Sequence, residues 1–368
     1  MENIFLLRNG VFAFLVFIIY FQVPFSELSG YISPLLAIYF LLSSKSIISF
    51  QREKSNLTLT LSWLIFLSLN LLAVAIDGGD IERGIRFFLI LVLIVLAFGT
   101  ENKKDVRIQY KIFMALTICK VIYLIVLAML MIMYGDYMPF RTWANLNGYG
   151  DIYFVYDLIP RVQIYGNSLL IIAMLVEFFT KRKITLLALF IMVGVFIAGN
   201  LAFIVAIFLL ILYVYFKKYF HLTIKGMLSF LLLLILMVPV CLYMSSENDR
   251  KVDGGNAVKV AQLEILLDNE NLFMGNGLGD KVPKMKLIGY SEKSLYYEMQ
   301  SAYIFYQIGF LGFAWFVVLN IIFLRRYKNN GIYVFYGIYI VSACANPYFF
   351  DSTHILAVHF LSNVFDKN

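Results

Sequence analysis

The chain has 368 residues, 61% of them hydrophobic and only 14% charged, with a formal net charge of +7. Those proportions lie outside the usual balance of a soluble domain, and apolar runs recur near the ~20 residues that cross ~30 Å of hydrocarbon. They exclude an ordinary soluble enzyme. Cys119, Cys241 and Cys344 have no paired spacing and argue against both a disulfide framework and a metal cluster.

The first apolar run is followed by Gln22-Val23-Pro24-Phe25 and no small-residue cleavage site, so it reads as a membrane helix and not a signal peptide. In chain order, twelve segments are predicted, at 5–24, 31–50, 57–76, 84–100, 108–134, 163–180, 183–199, 201–217, 224–244, 300–324, 331–346 and 352–365. The runs are continuously apolar and do not alternate, which favours helices over a barrel. The expected fold is an all-α polytopic membrane protein, with residues 1–368 forming a single integral membrane domain.

Basic residues set the expected orientation. Arg8, Lys45, Arg52, Lys54, Lys103, Lys104, Arg107, Lys111, Lys181-Arg182-Lys183, Lys217, Lys218, Lys225, Arg325, Arg326, Lys328 and Lys367 fall on one side. That side collects 18 of the 30 basic residues and few of the acids. Short basic loops stay cytoplasmic, so both termini are expected inside. The large loops near 135–162 and 245–299, the second carrying short helices, are then expected in the periplasm. No nucleotide is available there, which removes most ATP-driven and sugar-nucleotide chemistry. The excess positive charge follows from this bias and requires no nucleic-acid partner. The two halves show no internal repeat, which counts against an inverted-repeat transporter.

Few residues remain for chemistry. Arg83, Arg86, Arg141, Arg161 and Arg250 lie on the outer side, and arginine offers a planar fork suited to phosphate. Arg83 and Arg86 share a face if the fourth helix extends back to them, and Arg161 is expected immediately before a membrane helix. Snorkelling toward lipid headgroups is the competing reading for each. Gly275-Asn276-Gly277-Leu278-Gly279 is a flexible loop or a phosphate-binding turn. Glu298 precedes the tenth helix, either as a general base at the membrane boundary or as a helix-start acid. Lys120 falls inside the fifth helix, where a charge needs a cavity or a partner such as Asp77. Glu177 is expected to be solvated at a cytoplasmic helix end, and His354 and His359 to be structural. Tyr303, Tyr306, Trp143, Tyr149 and Tyr153 are placed for sugar stacking or interfacial anchoring. No constellation of residues calls for a metal or another cofactor.

Together these features resemble the O-antigen polymerase and ligase superfamily, the Wzy-type polymerases and their ligase relatives. Leu272-Phe273-Met274-Gly275-Asn276-Gly277-Leu278-Gly279 is similar to the Gly-x-Gly element of that family's large outer loop. Glu298 stands eleven residues before Gly309, and Gly309-Phe310-Leu311-Gly312 looks like the family's helix motif. Arg161 with Asn167 is similar to its arginine, aromatic and asparagine pattern at a helix start. By sequence the resemblance covers about 161–175 and 270–315, and elsewhere topology alone. Glu298 replaces the histidine common in ligases, which favours a polymerase. Gln307 falls where an acid is common, and the family's Ser-Arg signature appears only as Gly199-Asn200, leaving Arg86 or Arg250 to substitute.

The resemblance implies a metal-independent glycosyltransferase in the bacterial inner membrane, with its active site facing the periplasm. It would transfer a growing glycan from undecaprenyl diphosphate to the non-reducing end of a new lipid-linked repeat unit. Glu298 would be catalytic, with Arg161, Arg86, Arg83, Arg250 and Lys120 at the diphosphate and Tyr303, Trp143 and Tyr149 at the sugars. The implied partners are an undecaprenyl-diphosphate-linked oligosaccharide and membrane lipid, with a chain-length regulator and a flippase as further candidates. The alternatives are an O-antigen ligase, a lipid-linked oligosaccharide flippase or another polysaccharide transporter.

Overall fold

A computed structural model describes residues 2–100, 103–155, 159–219, 263–280, 300–327, 331–344 and 349–365, together with Val260 and Asn329. The ninth expected segment, Cys241, Arg250, Glu298 and much of the 245–299 insert lie outside the described residues. The described chain is mostly helical. Its helices are α1 (Glu2–Tyr20), α2 (Ile32–Leu42), α3 (Ser44–Gln51), α4 (Lys54–Ile76), α5 (Ile81–Ala97), α6 (Lys103–Tyr134), α7 (Met138–Leu146), α8 (Ser168–Lys181), α9 (Leu186–Ala198), α10 (Leu201–Tyr219), α11 (Gln300–Leu324), α12 (Gly331–Cys344) and α13 (Ser352–Val364).

Among the described residues, Asn3–Tyr20, Lys54–Ile76, Asp105–Tyr134 and Ser301–Leu324 are long and apolar enough to cross a membrane. The segment expected at 31–50 is bent by 64° between Leu42 and Ser44, and counts as a fifth span if the pair is one crossing. A serine pair, Ser43-Ser44, marks the bend, as at many sharp helix kinks. Other expected crossings fall on shorter helices. The 13 residues of α9 rise only ~20 Å at 1.5 Å per residue. Leu41, Ile65, Leu69, Ile76 and Met133 are exposed along the helices, a surface suited to lipid and not to water.

Two helices form the centre. Every residue of α8 from Ser168 to Phe179 is buried, and so is every residue of α13 from Thr353 to Ser362. The helices meet where Ser168 Oγ and Thr353 Oγ1 lie 3.0 Å apart. The two histidines of α13 belong to this core. His354 is bound by the Phe349 carbonyl at 2.9 Å and the Tyr336 hydroxyl at 3.0 Å, and His359 by Gln109 at 2.9 Å and Thr100 at 2.8 Å.

Three details differ from expectation. The 135–162 stretch, read as a loop, contains α7 and an antiparallel hairpin of β1 (Gly150–Val155) and β2 (Ile159–Ile164). The hairpin is tied to α7 by Arg141, whose Nε and Nη2 donate to the Asp151 carboxylate at 2.9 and 3.3 Å. Arg161 consequently sits on β2, and the next helix begins at Ser168 and not at 163. Glu177 is not solvated: it is 2% exposed and accepts hydrogen bonds from the hydroxyls of Tyr110 on α6 and Thr185 before α9.

Candidate functional site

The glycine turn and the helix motif meet. α11 is broken at Gly309, whose φ of 64° and ψ of −177° are not helical. A break inside an apolar helix frees carbonyls on one side and N–H groups on the other, and each must find a partner away from water. The stretch 272–277 supplies all four. Asn276 N–H donates to the Tyr306 carbonyl at 2.9 Å and Gly277 N–H to the Gln307 carbonyl at 2.8 Å. In return the N–H groups of Phe310 and Leu311 donate to the carbonyls of Leu272 and Phe273 at 3.0 and 3.1 Å. The turn therefore stands in for the missing helical turn.

Side chains complete the junction. The Gln307 carboxamide accepts from Gly279 N–H at 2.5 Å and donates to the Asp280 carbonyl at 3.2 Å. The Tyr306 hydroxyl donates to Asp280 Oδ2 at 3.1 Å. Leu278 is buried, its carbonyl lies against Gly84 of α5, and the Gly279 carbonyl accepts from Asp80 N–H at 3.0 Å. Of the two readings of the glycine turn, flexible loop and phosphate cradle, neither describes this arrangement. Its N–H groups at Asn276, Gly277 and Gly279 are all spent on α11. Gln307, singled out in the sequence only as standing where the resemblance expects an acid, instead binds the turn through both ends of its carboxamide.

The junction abuts the start of α5. Asp80 caps that helix by accepting from Arg83 N–H at 3.0 Å, so Arg83 and Arg86 are both helical, as their spacing requires for a shared face. They nevertheless diverge. The Arg83 guanidinium lies over Tyr303 of α11, 5.5 Å from the ring centroid, and 5.9 Å from that of Phe87. Arg86 pairs with Glu82 at 2.5 Å, both side chains largely in the open. Tyr303 is 2% exposed, so its ring serves Arg83 and Phe87 and presents no face to a sugar.

Arg161 is held by other elements. It is 3% exposed, stands opposite Tyr153 in the hairpin register, and places its guanidinium 5.2 Å from that ring. Arg141 approaches the same ring at 5.9 Å, so two of the arginines expected on the outer side gather around Tyr153. The aliphatic part of Arg161 lies on Gly199, the left-handed cap of α9 at φ +61°, where a Cβ would overlap its Cγ, Cδ and Nε. Gly199-Asn200, where the resemblance expects a second arginine, is thus covered by Arg161. Asn167 donates to the Val162 carbonyl at 2.8 Å and fixes the passage from β2 into α8.

Lys120 is fully buried, and its ammonium donates to the carbonyls of Tyr20 at 2.8 Å and Tyr165 at 3.0 Å. Tyr20 ends α1, so the cation sits at the negative end of that helix. Neither Asp77 nor open space faces it; Lys120 is a strut joining α1, α6 and the approach to α8. Tyr149 is also buried, with its hydroxyl donating to the Pro24 carbonyl at 3.3 Å, while Trp143 stays half-buried against it.

Asp351, at the end of the short turn before the last helix, caps α13 through Thr353 N–H at 2.8 Å and the Thr353 hydroxyl at 2.9 Å. Burial pushes its carboxyl up to about 7, against the opposing pull of those hydrogen bonds. Its neighbour Phe350 touches Phe87, one helical turn from Arg83. Comparisons with family models, curated proteins and solved structures found no significant match to this chain.

Proposed function

We propose that this protein is a membrane glycosyltransferase of the surface-polysaccharide polymerase type, transferring glycan from a polyprenyl-diphosphate carrier to a new lipid-linked repeat unit. One observation carries the reading. The two glycine elements on which the resemblance rests form a single backbone junction, and Arg83 stands beside it over Tyr303. Glu298 precedes Gln300, the first residue of α11, by two positions, and Tyr303 follows one turn later.

In this reading the acceptor hydroxyl attacks the anomeric carbon of the donor and gives its proton to Glu298. The bond from that carbon to the carrier diphosphate breaks, and the leaving diphosphate keeps the electron pair. Arginine charge, supplied by Arg161 and Arg83, neutralises the leaving group and makes a metal unnecessary. The reaction belongs on the periplasmic face of a bacterial inner membrane, where a flippase would deliver donor and acceptor. A charge inside a membrane helix would suit a transporter's path, but Lys120 is occupied by two backbone carbonyls.

The test is complementation of a polymerase-null strain. Arg161→Ala and Glu298→Gln, expressed at normal levels, should leave lipid A core carrying a single repeat unit. A full polysaccharide ladder from both variants would reject the assignment, and uncapped core in a strain that lacks only this chain would indicate a ligase instead.

A further inference from the structure

A second feature lies away from the glycine junction and stands independently of the glycosyltransferase reading. A cavity of about 570 Å³ opens between the end of α8, the end of α10 and Asn329. Its apolar wall is Phe178, Phe179 and Tyr213, with Tyr213 5.7 Å from Phe179 by ring centroids. Its rim carries Arg182, Lys183 and Lys217 and, among the described residues, no acid. Arg182 closes α8 in the left-handed conformation, φ 55°, its N–H donating to the Phe178 carbonyl at 2.7 Å; the chain turns there and brings Lys183 to the rim. Lys217 stands over Tyr213, 5.6 Å from the ring.

Like charges do not gather around a cavity without cost. Among the described residues none of the three cations forms an ion pair. The buried acid that precedes Phe178 in the chain, Glu177, is already committed to Tyr110 and Thr185. The adjoining basic residue, Lys181, is turned away over Tyr110. The cavity also lies at the end of the apolar helix Leu201–Lys217, where a helix that crosses a bilayer would pass from hydrocarbon to headgroup. Three cations with no acid opposite them among the described residues, above an aromatic wall, complement a phosphodiester attached to an acyl chain. We infer that this cavity is a binding site for an anionic phospholipid, its headgroup phosphate between Arg182, Lys183 and Lys217 and its acyl chain along Phe178, Phe179 and Tyr213.

The full chain carrying Tyr213→Trp, reconstituted in phosphatidylcholine vesicles, reports on the cavity directly. The signal of Trp63, Trp143 and Trp315 is subtracted using the unsubstituted protein. Brominated phosphatidylglycerol should quench the introduced indole at lower mole fraction than brominated phosphatidylcholine. Arg182→Gln, Lys183→Gln and Lys217→Gln should each reduce that preference about fivefold, and added salt should weaken it further. In the protein without the reporter, phosphatidylglycerol retained through purification should fall in the triple variant. Equal quenching by both lipids overturns the site. So does an equal loss of preference in Lys45→Gln, an exposed cation elsewhere, since that would mean diffuse attraction. Relief of quenching by millimolar inorganic phosphate assigns the cations to free phosphate and overturns the lipid.

Discussion

Gly275 and Gly309 touch backbone to backbone, and a Cβ on either would overlap the other's amide. Both have positive φ, +80° and +64°, so the contact depends on two conformations that side chains resist and on a space they would fill. Gly309→Ala and Gly275→Ala should each lower stability by at least ~1–3 kcal/mol, the cost of the backbone conformation alone. Thermal unfolding in detergent measures this. An unchanged melting temperature in both would mean that the break in α11 is not held by the turn.

Lys120→Met separates a strut from a ligand. Loss of the ammonium leaves the buried carbonyls of Tyr20 and Tyr165 without this donor, at ~1.5–3 kcal/mol per hydrogen bond to a charged group before relaxation. The variant should melt lower and accumulate less, with activity per folded molecule nearly retained. Normal stability with lost activity would restore Lys120 to the substrate site.

Gly199→Ala tests Arg161 from the outside. The new methyl would meet Cδ and Nε of Arg161 at 2.7 and 2.8 Å, so the guanidinium must leave its place over Tyr153. Under the proposed function, Gly199→Ala should shorten or abolish the polysaccharide ladder as Arg161→Ala does. Arg161→Lys should rescue poorly, because an ammonium lacks the planar fork. A wild-type ladder from Gly199→Ala would show that the packing does not position the arginine.

Asp351 should make stability depend on pH. Its carboxyl titrates near 7 when folded against an ordinary value of 3.8, so between those values the folded chain holds a proton that the unfolded chain has released. Stability contributed by this group is present below pH 4, falls as pH rises, and is fully lost above 7, up to ~4 kcal/mol at ~1.4 kcal/mol per unit. Asp351→Asn, which can still cap α13, should flatten the dependence of melting temperature between pH 4 and 7. An identical slope in wild type and variant would mean that Asp351 ionises normally.

The long apolar helices are legible in the sequence because hydrocarbon thickness sets their length: Lys54–Ile76 and Ser301–Leu324 lie where composition puts them. The hairpin is not, since its strands are short and polar residues interrupt them. The tie between Arg141 and Asp151 that anchors it joins positions no periodicity relates. Glu177 escapes a sequence reading for a similar reason: its proximity to a helix end suggests water, while its partner Tyr110 lies 67 residues away. In the candidate site, glycine spacing marks both halves of the junction. That one half repairs a break in the other is visible only once Gly309 is seen to leave the helix.

The enclosure of α8 also explains how a buried carboxylate is tolerated. A helix whose residues from Ser168 to Phe179 are all buried takes its surroundings from other helices of the chain and not from solvent or lipid. Glu177 travels with it and is costly there until met. Tyr110 stands earlier in the chain, on α6, whereas Thr185 follows by only eight residues. Both of its hydroxyl partners precede α13 in the chain, so the carboxylate needs nothing from the last helix to be met.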